Sequence, residues 1–109
     1  MLSQVILIGR IVKEPELLDI NGKKMTRIVL AIQRPFKNGE TGEYDTDFIP
    51  VSLWQLCAEV AVENFTVGSV VCVKARLVTR TIQTGEEKSV QVVEVVGDRA
   101  FLISKKNNA

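Results

Sequence analysis

The side chains best placed to do chemistry in this chain lie on the stretch DFIPVSLW, residues 47–54. In a strand, successive side chains point to opposite faces, so Ile49, Val51 and Leu53 share one face and Phe48, Pro50, Ser52 and Trp54 the other. The first face is already a complete aliphatic core stripe. The second carries a Phe and the only Trp of the chain, separated by a Pro with no backbone donor and a small Ser. Further on, residues 70–80 alternate strictly, with Val71, Val73, Ala75 and Leu77 facing one way and Cys72, Lys74, Arg76, Val78 and Arg80 the other. Aromatic rings beside Lys and Arg on an outer sheet face suit a single-stranded nucleic acid: flat rings stack on unpaired bases and cations follow the phosphates. Phe36 and Tyr44, flanked by Arg34 and Lys37, add rings and charges on a polar segment that could reach around such a strand.

Catalysis has little support. The chain has no His, so neither a Ser-His-Asp nor a Cys-His arrangement can be assembled, and Cys57 and Cys72 would have to act without the usual base. The two cysteines are too far apart for a CxxC pair, which leaves them as reduced thiols with no metal site and no cofactor expected. Gly22-Lys23-Lys24 lacks the glycine spacing and the following Ser or Thr of a phosphate-binding loop. Glu14 and Glu16, Glu40 and Glu43, and Glu86 and Glu87 fall in turn-like surroundings as solvated charges. A binding protein, not an enzyme, is expected.

The elements that must position these residues are short strands separated by glycine-containing turns. With 109 residues, 46% of them hydrophobic and 25% charged, the chain is one globular domain. The net charge of +1 means that any cationic site must come from local asymmetry. No apolar run approaches a membrane span and no secretory signal is visible at the N-terminus, so a cytoplasmic protein without a membrane partner is expected. Residues 5–12 read as a strand apolar on both faces, the outer one available to a second subunit. Asn21-Gly22 is a hairpin signal leading into a strand at 25–34, where Ile28, Leu30 and Ile32 form the core side. Residues 35–46 read as a long exposed loop. After the strand at 47–54, Leu56, Cys57, Val60, Ala61 and Phe65 recur at helical spacing, which predicts one short helix over 57–64. Strands follow at 70–80, 88–95 and 100–103, with a turn at 83–87. This order predicts an all-β fold, a five-stranded OB barrel with one helix between its third and fourth strands, spanning 1–104 and followed by a short disordered tail at 105–109. An Ig-like sandwich fits less well, since its disulfide is absent and a helix interrupts the strands.

The segments QVILIGRIVKEPEL (4–17), NGKKMTRIVLAIQR (21–34), NGETGEYDTDFIPVSLW (38–54), AEVAVENFTVGSVVCVKARLVTR (58–80) and VVEVV (92–96) resemble those of the bacterial single-stranded DNA-binding protein (SSB) family over nearly the whole chain. That resemblance implies an OB fold that binds single-stranded DNA without sequence preference during replication, repair or recombination, near the nucleoid, usually as a homotetramer, with a dimer as the alternative. It also implies stacking roles for Phe36, Phe48 and Trp54. Where the family usually carries an aromatic after Thr-Arg, this chain has Ile82, which packs against a base without stacking as a ring does. Phe65-Thr66-Val67 stands where many relatives carry Lys or Arg. The chain ends at SKKNNA, with no acidic tip of the kind by which typical members recruit other proteins. Two alternatives stay open at this point: a primosomal PriB-type protein that binds single strands and a helicase, and an OB barrel whose exposed aromatics serve a partner protein.

Overall fold

The computed structural model describes residues 1–105, so most of the expected tail, residues 106–109, lies outside the described residues. Six strands and one helix follow in the order β1 (Val5–Ile11), β2 (Leu18–Ile20), β3 (Lys23–Lys37), β4 (Tyr44–Trp54), α1 (Leu56–Asn64), β5 (Val70–Gln83) and β6 (Ser89–Ser104). Five of them close into the expected OB barrel. The sheet runs β1-β5-β6-β4-β3-β2, and a second pairing of β1 with β3, Arg10 opposite Ala31 and Ile11 opposite Leu30, joins its ends. All pairings are antiparallel except β4 with β6. Strand β2 is an addition to the five. It pairs with the start of β3 through the Asn21-Gly22 turn, whose residues both have positive φ (53° and 83°), the backbone twist that a two-residue hairpin loop needs.

Inward alternation builds the core. Ile11, Ile28, Leu30, Val51, Leu53, Val71, Val73 and Ala75 are buried inside the barrel, and α1 contributes Ala58 and Ala61 with Phe65 just beyond its end. The helix is held to the β3 side by the Lys24–Glu59 ion pair at 2.9 Å and by the Gln55 N–H, which donates to the Lys24 carbonyl at 2.7 Å. Among the described residues no helix is long and apolar enough to cross a membrane.

Four expectations are corrected. The segment 35–46 is not one long loop: β3 runs on to Lys37 and β4 begins at Tyr44, so both continue as a ribbon beyond the barrel. The strands expected at 88–95 and 100–103 are one strand, β6, bulged at Asp98, because Lys74 pairs with Arg99 while Ala75 pairs with Gly97. Leu77, expected on the core side with Val71, Val73 and Ala75, keeps that face opposite Val95 but is exposed, because beyond this pair β5 and β6 run on past the β4 pairing as a second ribbon. Leu56 is exposed as well, lying at the first turn of α1 on the side away from the core.

Closure demands close approaches that only a residue without a side chain allows. A Cβ at Gly9 would lie 2.8 Å from Ile32 Cγ1 and 2.9 Å from the Ala31 carbonyl oxygen, at the seam where β1 meets β3. A Cβ at Gly97 would collide with Leu53 across the parallel β4–β6 pairing. Gly9→Ala is therefore expected to destabilise the fold by about 1–3 kcal/mol through overpacking. Urea unfolding reads this as a lower midpoint at unchanged slope, and an unaltered midpoint would show that the seam tolerates the methyl group.

Candidate nucleic-acid interface

The outer face of β4 is the one that alternation selected. Phe48 is 63% exposed, Pro50 is exposed, and Trp54 is half-buried at the barrel end of the strand. The strand rises about 3.3 Å per residue, which puts the two rings about 20 Å apart along one line. Ser52, on the same face, is buried between Arg27 and Val96 on the flanking strands, and its hydroxyl is satisfied by donating to Glu94 Oε1 at 2.5 Å.

Trp54 does not stand alone on the surface. It forms one wall of a shallow groove whose other walls are Leu18, Ile20 and Met25, with Arg27, Arg80 and Glu94 at its polar end. Each arrives by register. Met25 and Arg27 sit opposite Trp54 and Ser52 on β3, and the β2 hairpin folds Leu18 back over Met25. Glu94 comes from β6 beside Ser52, and Arg80 from β5 across β6. The Glu94 carboxylate is only 19% exposed and faces both arginines, Arg80 Nε at 3.3 Å and Arg27 Nη2 at 3.7 Å. Arg27, Ser52 and Glu94 were not among the residues singled out from sequence. Alternation puts Ser52 on the outer face, but only the strand register brings it opposite Arg27. Glu94 was signalled by being the one charge in the apolar run VVEVV.

The other selected residues are distributed around the barrel rather than gathered at this groove. Phe36, 80% exposed, and Lys37 lie on the β3–β4 ribbon, where the register shifts between Gln33 and Lys37. Lys37 lies opposite Tyr44 and sets its ammonium 5.8 Å from the ring centroid. Arg34 grips Asp47 with two hydrogen bonds of 2.9 and 3.0 Å, and Asp45 lies 3.9 Å away. By alternation, Asp45 and Asp47 face away from Phe48, so this pair stiffens the ribbon from its reverse side. Ile82 is exposed near the tip of the β5–β6 ribbon. Arg76 is paired with Asp98 at 3.3 Å, at the bulge. Lys74 faces outward between Ile6 and Arg99, on the β1–β5–β6 side of the barrel, with no carboxylate partner among the described residues. No cluster of His, Cys, Asp or Glu suited to a metal ion occurs among the described residues.

The Arg34 hydrogen bonds hold the Asp47 carboxyl below its ordinary value of 3.8, and the same partner raises the guanidinium. A carboxyl with a depressed pKa keeps its pairing throughout neutral pH and loses it only as pH falls through that lowered value. In a carboxyl-carbon NMR titration Asp47 is therefore expected to titrate below 3.8, and Arg34→Gln to return it towards the ordinary value. An unshifted Asp47 in the unaltered chain would mean that the pair does not persist in solution.

A sequence profile of the Single-strand binding protein family matches residues 2–103. Single-stranded DNA-binding protein 3 of Listeria innocua is 39% identical over 111 aligned residues, covering 100% of this chain and 69% of the relative. Single-stranded DNA-binding protein B of Bacillus subtilis is 35% identical over 107 residues, covering 97% of this chain and 94% of the relative. Among solved structures, the single-stranded DNA binding protein from Thermus aquaticus superposes with a TM-score of 0.79 at 24% identity, covering 94% of this chain. The chain spans half the length of that protein, and the likeness is one of fold. With the match running from Leu2 into the last strand, and with full-length similarity to curated members, the chain belongs to the single-strand binding protein family.

Proposed function

We propose that the chain binds single-stranded DNA without sequence preference and covers it during replication, repair or recombination, through contact and not catalysis. The observation that carries this reading is the outer face of β4, where Phe48 and Trp54 stand outward while Val51 and Leu53 on the reverse are buried, with Arg27 and Arg80 beside the indole. Bases stack on Trp54 and Phe48, and Phe36 on the β3–β4 ribbon extends the line. Arg80, Arg27 and Lys37 meet phosphates along it, Ile82 packs against a base at the β5–β6 ribbon, and Arg76 lies beside that path at the bulge, whereas Lys74 is on the β1–β5–β6 face and Arg34 on the reverse of the β3–β4 ribbon, both off it. Stacking reads the π-face that every base shares, so the binding is blind to sequence. The cytoplasm is the compartment that fits this role.

We further infer self-association. Ile6 and Ile8 on β1, with Phe101 on β6, are outward and more than half exposed, and Cys72 between them is half-buried. An apolar patch of this kind, running over three paired strands, suits a second copy of the chain. A homotetramer would use this face and one more, and a dimer this face alone.

Titration with oligo(dT), followed by Trp54 fluorescence at low and high salt, tests the binding reading. Quenching that saturates and weakens with salt is expected. Trp54→Ala and Phe48→Ala, followed by gel shift, should each lose about 1–3 kcal/mol of affinity with circular dichroism unchanged. Affinity equal to that of the unaltered chain in both variants would remove the stacking platform. Ile8→Glu is expected to reduce the particle mass seen by light scattering, and a monomer in the unaltered chain at micromolar concentration would remove the second-copy reading.

A further inference from the structure

The polar end of the Trp54 groove holds one carboxylate and two guanidiniums, and their exposures differ. The Arg27 and Arg80 side chains are 50% and 54% exposed, whereas Glu94 between them is 19% exposed and anchored from below by the Ser52 hydroxyl. The carboxylate is thus fixed in the floor, and the cations lie over it, open to solvent. At 3.3 and 3.7 Å, Arg80 and Arg27 meet the carboxylate as ion pairs and neither contact is a bidentate fork, so each guanidinium keeps donors unused. The three side chains together carry one positive charge where the two arginines alone would carry two.

We propose that Glu94 is a built-in competitor of the DNA phosphate, setting an upper limit on how tightly this groove holds a strand. The inference rests on the proposed binding of single-stranded DNA at the same face. A phosphate approaching from solvent must draw Arg27 or Arg80 away from a carboxylate that cannot follow, since Ser52 and the β4–β6 ladder hold it in place. A guanidinium already partnered by a carboxylate attracts less of the phosphate's field and displaces fewer condensed counterions when DNA arrives. The result is a contact that forms and breaks readily, with shallow salt dependence, beside a stacking ring that salt leaves largely unaffected. No other carboxylate among the described residues faces two arginines of the groove in this way.

Glu94→Gln tests this, because the amide oxygen still accepts from Ser52 while the charge is gone. Oligo(dT) affinity is measured over a range of salt for the unaltered chain, for Glu94→Gln, and for Glu63→Gln, which removes an equal charge from the exposed side of α1. Glu94→Gln is expected to bind roughly five- to tenfold more tightly at low salt, with a log–log salt slope steeper by about one unit. Glu63→Gln should change little. Adding Arg80→Gln to Glu94→Gln should cancel much of the gain, and should cost more affinity there than Arg80→Gln costs in the unaltered chain. Should Glu94→Gln lower the melting temperature too far for titration, Glu94→Asp, which shortens the acid and withdraws it from the arginines, is expected to shift affinity the same way by a smaller factor. Affinity for Glu94→Gln equal to that of Glu63→Gln, or weaker than that of the unaltered chain, would overturn the proposal and make Glu94 a holder of the arginines in their binding pose. A failure of the unaltered chain to bind oligo(dT) at all would overturn the proposed function itself, and this inference with it.

Discussion

The outer surface of this barrel depends on a parallel ladder of three residue pairs, Val51 with Val95, Ser52 with Val96 and Leu53 with Gly97. It is the only parallel pairing among the described strands, and it is what brings β6 against β4 and closes the wall between the core and the Trp54 groove. Of the inner members Val51 and Leu53 are fully buried and Val95 packs half-buried against the core, with so little room that Gly97 cannot carry a side chain. The outer members bring Ser52 beside Glu94, and through Glu94 they place two arginines from strands that are not neighbours of each other. Packing inside and charge geometry outside are two sides of one constraint. A slip of β6 by one residue would turn Glu94 inward and Val95 outward, losing both together.

The same pairing of charges recurs across a chain whose net charge is only +1. The arginines are not spread as a free basic stripe. Arg34 is tied to Asp47, Arg76 to Asp98, and Arg27 and Arg80 to Glu94. Pairing of this sort contributes little to stability at an exposed site, but it orders long side chains and keeps the far field weak. On the proposed binding, encounter with a polyanion would depend less on long-range attraction and more on short-range stacking, which salt does not screen.

Much of the fold was legible from alternation. Ile28 and Leu30, Val51 and Leu53, and Val71 and Val73 are inward as their period required, because a two-residue repeat reports which face a side chain takes. The same repeat is silent on whether anything lies opposite that face. This is why Leu77 shares the face of Val71 and Val73 yet lies exposed, and why residues 35–46 read as loop when strands continue through both ends of the segment. Of the site, Trp54, Phe48 and Arg80 could be singled out along their own strands. Arg27 and Glu94 could not, since their role comes from registers between β3, β4, β5 and β6, and register is a relation between segments far apart in the sequence.

The place of β1 in the barrel bears on how the chain folds. This strand is made first, yet its long pairing is with Val70 to Ala75, from the far half of the chain, and its link to β3 is only two residue pairs. Until β5 is available, a strand with Val5 and Leu7 on one side and Ile6 and Ile8 on the other stays without its main partner. Non-local pairing of this kind is slow, and an unpaired apolar edge is the feature by which partly folded chains find one another. The outer half of that strand stays exposed in the finished barrel, so on the proposed self-association folding and assembly would share one surface in succession, with β5 needed in place before a second copy competes for the edge.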